Sequence, residues 1–424
     1  MRFGPLDTSA APARDPVRPL RVALVTETYP PEVNGVAGTV ARVVAGLRDA
    51  GHAVQVIRPR QGAADRGAEG ELLTGGLPIP WYPELRAGFP GRRALRESWQ
   101  AARPDVVHLA TEGPLGWSAL RVARSLGLPV VSEFRTNFHA YTRYYGMAAL
   151  HRPIRAYLRW FHNRTDCTMV PTAALGRDLA SAGFRDLAVV ARGVDTRQFH
   201  PARRSEELRR LWGAGPDTLV ALAVGRLAPE KNLDLLRETF ATLRRAQPQM
   251  KAVVVGDGPA RATLRRQCPE AHFAGTRRGN DLATHYASAD LLLFPSVTET
   301  FGNVTLEAMA SGLAVLAFDY AAAAECVRHG ESGLLAPYND SPRYLHLAAS
   351  AAGRLAEIRA WGAVARRTAE GLDWGRIVDQ IAGHHRAAMA KGQPADPTPD
   401  VSPQPVDPAA PFGVRRQDSV FPAP

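Results

Sequence analysis

Two doubly wound α/β domains facing each other across a cleft are the architecture that the sequence predicts, and three observations carry it. Short apolar, β-branched runs alternate with longer helical patterns from residue 20 onward. The alternation breaks off near residue 191 and restarts at 217. Between the two sets lies "RGVDTRQFHPARRSEELRRLWGAGP", polar and punctuated by Gly and Pro, with the composition of a hinge.

In the first set, "LRVALVT" (20–26) reads as a buried strand and is followed by a helical pattern from Val36 to Ala50. "AVQVI" (53–57), "DVVHLA" (105–110), "PVVSEF" (129–134), "CTMVP" (167–171) and "LAVVA" (187–191) continue it, with helical stretches between most of them. The second set comprises "DTLVALAVG" (217–225), "MKAVVVG" (250–256), "HFAG" (272–275), "ADLLLFP" (289–295) and "LAVLAFD" (313–319). Continuous apolar strands between helices indicate parallel sheets covered on both faces. Ligands bind such sheets at the C-terminal ends of the strands.

The chain has 424 residues and 45% hydrophobic content, enough for two or three domains. No apolar run approaches the ~20 residues that span a bilayer, and "MRFGPLDTSAAPARDPVRPL" lacks the apolar centre of a secretory signal. A cytoplasmic protein is expected. Cys167, Cys268 and Cys326 are far apart, without metal-ligand spacing, as in a reducing compartment. The formal charge of +11 and pI near 10.0 fit nucleic acid, anionic lipid headgroups or a phosphate-bearing small molecule. They equally fit an Arg-rich composition from a GC-rich genome. No continuous basic stripe or nucleic-acid module is present, so a nucleic-acid partner is not expected. From Gly392 the chain is Pro-rich ("GQPADPTPDVSPQP") and too poor in apolar residues to fold, so 392–424 reads as a disordered tail.

The informative motifs fall where strands end. After the first strand, "TETYPPEVNGVAGTV" places Asn34-Gly35 at the opening of a helix. A glycine there lets amides approach a phosphate, although a turn needing a flexible residue accounts for it as well. "VGRLAPEKNLD" puts Arg226 and Lys231 on either side of a proline at a helix entrance, where two cations can hold a dianion. Singly, each also fits a solvated surface loop. Asp257 in "VGDGPARATL" fits a turn or cap better than a catalyst.

"FPSVTETFGNVTLEAMASG" (294–312) holds Glu299 in a strand-to-helix loop and Glu307 about one turn inside the helix. The rise per residue puts the two on the order of 10 Å apart. Ionised carboxylates only accept hydrogen bonds, so both suit hydroxyl pairs. A sugar nucleotide has matching dimensions: sugar hydroxyls at one end, ribose hydroxyls at the other and a diphosphate between.

The ordered set "NGV", "RGVDTRQFHP", "GRL...EKN", "GDGP" and "E-TFGNVTL-E" resembles the retaining GT-B glycosyltransferases of family GT4 over roughly residues 20 to 390. "TETYPPEVNGVA" and "FRTNFHAYTRYYG" are most similar to bacterial lipid-directed members, namely GDP-mannose-dependent α-mannosyltransferases and sulfoquinovosyl- or glucosyl-diacylglycerol synthases. The resemblance implies a GT-B fold of two Rossmann-like domains. It implies a flexible 1–19, an acceptor domain over 20–200, a donor domain over 201–372 and a helix crossing back over 373–391. Within it Glu299 binds donor sugar hydroxyls, Glu307 the ribose, and Arg226 and Lys231 the diphosphate, with the Gly35 amide reaching it from the other domain. Phe301, Gly302 and Asn303 fall in the same donor-binding motif. His139 matches a histidine that reaches the donor sugar, although by itself it reads as a packed residue among aromatics. Thr276 falls where the family contacts the base through the backbone.

The expected reaction is hexose transfer, mannose- or glucose-type, from a GDP- or UDP-linked donor with retention and without cofactor or metal. A sugar-nucleotide epimerase or a phosphorylase on the same scaffold is the other enzymatic reading. The acceptor is expected to be a lipid or glycan. "FHAYTRYYGMAALHRPIRAYLRWFHNR" (138–164) interleaves Arg with Tyr, Trp and Phe, which suits an anionic membrane surface. A surface helix with arginines extended to solvent gives the same pattern.

Overall fold

The computed structural model describes residues 18–32, 35–62, 64–79, 82–89, 91–135, 151–299 and 301–392. Asn34, the first 17 residues, the whole 136–150 stretch with His139 and the tail after Gly392 lie outside the described residues.

The first half runs β1 (Arg21–Val25), α1 (Gly35–Asp49), β2 (Ala53–Pro59), β3 (Glu71–Thr74), β4 (Gly76–Ile79), β5 (Tyr82–Gly88), α2 (Arg92–Ala101), β6 (Val106–Leu109) and α3 (Pro114–Ser125). It continues with β7 (Val130–Glu133), α4 (His151–His162), β8 (Cys167–Val170), α5 (Ala173–Ser181) and β9 (Leu187–Val189). Seven of these strands form one sheet in the order β3-β2-β1-β6-β7-β8-β9, and every pairing in it is parallel. Strands 4 and 5 pair separately as an antiparallel hairpin. This hairpin and β3 are absent from the sequence reading. β3 is a sheet-edge strand, "ELLT", with no β-branched residue until its last position, so its composition gives no strand signal.

The stretch read as a hinge contains a 3₁₀ turn, Pro201–Arg203, and α6 (Glu206–Leu211), capped by the Ser205 hydroxyl accepting from the Leu208 amide at 3.1 Å. The second half follows: β10 (Val220–Val224), α7 (Leu233–Ala246), β11 (Lys251–Val255), α8 (Arg261–Gln267), β12 (His272–Gly275), α9 (Gly279–Ala287) and β13 (Leu291–Phe294). Then come α10 (Asn303–Ala310), β14 (Ala314–Phe318), α11 (Ala321–Cys326), β15 (Gly333–Ala336), α12 (Ser341–Ala351), α13 (Leu355–Glu370) and α14 (Trp374–Gly392). The second sheet is also parallel, in the order β12-β11-β10-β13-β14-β15.

Each sheet is packed on both faces, which explains the continuous apolar runs. Val22, Leu24, Val54 and Val106 lie on one side of the first sheet and Ala23, Val25, Ile57 and Val107 on the other. Helix α14 returns to the first sheet: Ile377, Val378, Ile381 and Ala382 join the core under α1. The two helices meet so closely that a Cβ on Gly46 would stand 2.5 Å from Val378 Cγ2. Strand order reverses between β1 and β6 in one sheet and between β10 and β13 in the other. At such points adjacent crossovers leave on opposite faces and open a crevice at the strand ends.

Candidate active site

Strands β10 and β13 are neighbours, Ala221 pairing with Leu291, so the loops that leave their C-terminal ends lie side by side. The β10 loop passes Gly225, held at φ +145°, and Arg226, then forms a 3₁₀ turn over Pro229–Lys231. Asn232 turns left-handed at φ +54° to start α7. The β13 loop carries Glu299, Phe301 and Gly302 into α10. Across this junction Lys231 Nζ is ion-paired with Glu299 Oε1. Ser296 Oγ donates to the same carboxylate oxygen at 2.7 Å.

The loop is fastened along its length. Thr298 donates to the Glu230 carbonyl at 3.0 Å, Tyr320 to the Glu299 carbonyl at 2.7 Å and Tyr338 to the Val297 carbonyl at 2.9 Å. Such bonds hold the Glu299 loop in one geometry ahead of any ligand. Arg226 is ion-paired with Glu230 one turn on, and its side chain is 42% exposed, so its guanidinium remains accessible.

Gly302 caps α10 at φ +94°, a conformation that costs any L residue, and a Cβ there would press within 3.3 Å of the Phe294 ring. Phe301 beside it is buried in the second core and anchors the turn. Its carbonyl accepts from the Ala322 amide at 2.7 Å. The N-terminus of α10 therefore directly follows the loop that carries Glu299, and helix N-termini favour phosphates. One turn inside α10, Glu307 Oε2 accepts from the Tyr286 hydroxyl at 2.8 Å. Burial raises the Glu307 carboxyl, while Tyr286 and the more distant charge of Arg42 draw it back.

Of the other residues expected in the site, Gly35 is the exposed first residue of α1, with open space where a Cβ would project. Asn303 opens α10. Thr276 is exposed, just after Gly275 at φ +74°. Asp257 fills the turn role: its Oδ1 accepts from the Gly258 amide at 2.8 Å and its Oδ2 pairs with Arg261 at 2.9 Å. The glycines of "GDGP" have a packing reason, since a Cβ on Gly256 would fall 1.9 Å from the Gly225 carbonyl oxygen.

Sequence reading missed two arginines. Arg192 follows β9 and places its guanidinium 5.8 Å from the centre of the Phe301 ring, with Nη1 3.5 Å from Asn303 Oδ1. Burial, and secondarily Arg135, lowers it to about 10, so it is charged at neutral pH. Arg42 on α1 pairs with Asp195 at 3.0 Å and with Gln198 at 3.1 Å. Both arginines fix where the hinge segment lies. The signal was present in "RGVD", where a cation directly follows a strand end.

The first sheet's reversal point carries two carboxyls. Glu27 follows β1, and its Oε1 accepts from the Leu115 amide at the start of α3 at 2.7 Å. Gly113 makes room for it, since a Cβ there would fall 1.6 Å from Glu27 Oε2. Glu112 follows β6 and is 5% exposed. Burial lifts Glu27 to about 7; burial, with repulsion from Glu27, lifts Glu112 to about 8.

Two family models match this chain, Glycosyltransferase Family 4 over residues 33–198 and Glycosyl transferases group 1 over residues 218–352. A GDP-mannose-dependent alpha-mannosyltransferase of Mycobacterium tuberculosis is 36% identical over 88% of this chain and 98% of its own length. The chain belongs to glycosyltransferase family 4. This glycosyltransferase is also 28% identical, over 70% of its chain and 71% of the relative, to an alpha-monoglucosyldiacylglycerol synthase of Streptococcus pneumoniae. Its fold matches the sucrose-phosphate synthase of Thermosynechococcus elongatus with a TM-score of 0.71 at 19% identity, over 87% of this chain and 99% of the other. The glycosyltransferase is a hexosyltransferase with the GT-B fold.

Proposed function

We propose that this glycosyltransferase moves mannose from GDP-mannose to a membrane lipid, with retention of configuration and without a metal. The observation that carries the donor site is the convergence of Lys231 and Glu299 beside the N-terminus of α10, with Glu307 one turn further along the same helix. In this reading Glu299 takes the sugar hydroxyls, Glu307 the ribose hydroxyls, and the diphosphate lies between them. Breaking the sugar–phosphate bond concentrates negative charge on the departing phosphate. Lys231, Arg226 and the amides of Gly302 and Asn303 stabilise that charge as it forms. In this reading attack is front-face, with the departing phosphate accepting the proton of the incoming hydroxyl. The Gly35 amide and His139 are assigned to the donor's other side.

The relatives supply the substrate classes: GDP-mannose is the donor in one name and diacylglycerol the acceptor in another. Helix α4 supports a membrane acceptor. It turns Leu158 and Phe161 into the core while Arg152, Arg155, Tyr157 and Arg159 are exposed. Among the described residues no helix is long and apolar enough to cross a membrane. On the strength of the exposed arginines of α4, the protein is proposed to work on the inner face of the cell membrane as a peripheral enzyme.

The test is a panel of GDP-mannose, GDP, UDP-glucose and UDP scored by thermal stabilisation, then by transfer to lipid vesicles with and without EDTA. GDP-mannose is expected to stabilise most and to donate in EDTA. Stabilisation by the uridine compounds alone would overturn the donor. Turnover that required inorganic phosphate would restore the phosphorylase reading.

A further inference from the structure

A second cavity opens in the first domain, at the C-terminal ends of β7, β8 and β9. Thr39, Glu133, Arg135, Arg192, Trp374 and Ile377 are among its walls. None of the groups assigned to the donor lines it. Arg192 connects the two regions, through Phe301 and Asn303.

Arg135 is the unusual member. Its side chain is 3% exposed and ion-paired through Nη2 with Glu133. Its Nε and Nη1, also buried, have no hydrogen-bond partner among the described residues. Two unmade donors on a buried guanidinium are costly, and such groups call for a ligand, an ion or water.

Charge separates these choices. Burial pushes Glu133 up, but Arg135 and His108 outweigh it and hold it near 2, so it is a carboxylate. Its Oε1 is 2.7 Å from His108 Nε2, and His108 Nδ1 is 3.2 Å from His385 Nε2. Burial first, and then His108, hold His385 well below the ordinary histidine range, so it adds no charge at neutral pH. Two guanidiniums therefore line the cavity with one carboxylate, while Glu299 acts on Arg192 from outside it. Water can fill the hydrogen bonds but leaves the excess positive charge unmet. An oxyanion meets both needs, and the planar guanidinium fork matches a phosphoryl group in particular.

We propose that this cavity is a second oxyanion site, in which Arg135 and Arg192 hold a phosphoryl group other than the donor's diphosphate. Its position at the strand ends, one arginine away from α10, suits a phosphate on the acceptor. That assignment to the acceptor rests on the transfer reading above, whereas the site itself does not. A phosphorylated lipid headgroup and free phosphate share this chemistry.

Inorganic phosphate and glycerol 3-phosphate, with chloride as the ionic-strength control, are titrated by calorimetry into the whole protein, alone and saturated with GDP. Saturable phosphate binding that persists with GDP present is expected. Arg135→Gln should weaken it at least tenfold while keeping the stabilisation by GDP, which shows that the variant is folded. Glu133→Gln removes the cavity's one negative charge and should tighten phosphate several-fold, an opposite shift that loss of folding cannot produce. Tighter binding of glycerol 3-phosphate identifies a headgroup as the source, and tighter binding of inorganic phosphate identifies the free ion. No saturable binding beyond chloride, binding abolished by GDP, or equal affinity in Arg135→Gln would each overturn the site. Failure of GDP to bind would count against the donor reading and leave the phosphate titration readable.

Discussion

Lys231 and Glu299 stand 68 residues apart in sequence, yet their side chains form an ion pair across the loops that leave β10 and β13. The two ends of the donor motif are thus joined before a ligand enters. A diphosphate that recruits Lys231 leaves Glu299 free to accept from sugar hydroxyls, so binding exchanges one partner for another rather than desolvating a lone charge. Lys231→Ala is expected to lower kcat by roughly 10²–10³-fold, the scale of removing one preorganised donor to a developing anion. Both partners are partly exposed, so the pair should add about 1 kcal/mol or less to stability. Stopped-time assays beside thermal melts check both statements; unchanged turnover would remove Lys231 from the mechanism.

Glu307 yields a pH dependence of donor binding. Only its ionised form accepts from two hydroxyls at once, and burial raises its carboxyl above the ordinary range. On acidification it therefore loses charge earlier than an exposed glutamate. The donor Kd should rise as the pH falls, starting above the usual carboxylate range, whereas Glu307→Gln should bind weakly with a flatter profile. Tyr286→Phe removes a hydrogen bond that favours the ionised form, and so should move the wild-type profile to higher pH. Calorimetric donor titrations between pH 5 and 8 decide the matter; identical slopes in wild type and Glu307→Gln would refute the assignment.

Helix α4 predicts a charge-dependent association with membranes. Replacing Arg152, Arg155 and Arg159 by glutamate changes three exposed positions and leaves Leu158 and Phe161 in the core. Flotation with anionic vesicles should recover the wild type at low salt and lose it near 0.5 M, where screening shortens electrostatic reach to a few ångströms. The triple variant should stay at the bottom of the gradient, and equal recovery on neutral vesicles would contradict the reading.

Strands buried on two faces were legible because burial there favours mostly apolar runs rich in valine, as in "VALAV" of β10 and "KAVVV" of β11. Edge positions impose no such demand, and "ELLT" of β3 and "GLLA" of β15 passed unread. The spacing of Glu299 and Glu307 was legible because both sit on one loop and helix. Contact between Lys231 and Glu299 was not, since it needs β13 to lie next to β10 with two strands between them in sequence. Arg192 was hidden for a different reason. Its segment is polar and reads as a linker, while in the structure Arg192 lines the cavity beside Arg135 and reaches the Phe301 ring at the start of α10.

The hinge is tied to the second domain by a buried network that should dominate its stability. Arg209 of α6 is fully buried and holds Asp290 Oδ2 at 3.1 Å, the Ser288 carbonyl at 2.9 Å and the Thr218 carbonyl at 2.7 Å. Asp290 in turn accepts from the Val220 amide at 2.9 Å and faces Arg359 at 3.1 Å. Removing one partner leaves a buried charge uncompensated, so Asp290→Ala should cost about 3–5 kcal/mol. Urea midpoints measure this. Nucleotide affinity of the folded fraction should be unchanged, because no donor group belongs to the network.

Glu27 and Glu112 give the molecule a stability that falls as pH rises. Their folded carboxyls titrate at about 7 and about 8, against 4.5 in the unfolded chain, chiefly because burial disfavours the charge. The folded state therefore binds more protons than the unfolded state between these limits, and unfolding free energy decreases with pH across that window. Below pH 4.5 both states are protonated and nothing is lost. Above pH 8 the penalty is complete, and at 1.36 kcal/mol per unit it reaches roughly a few kcal/mol for Glu112. Glu112→Gln cannot ionise, so its melting temperature should equal or trail the wild type at pH 5 and exceed it at pH 8.5. A wild-type melting temperature that climbs from pH 5 to 8 in step with the variant's would show that the carboxyls ionise at no cost in the folded protein.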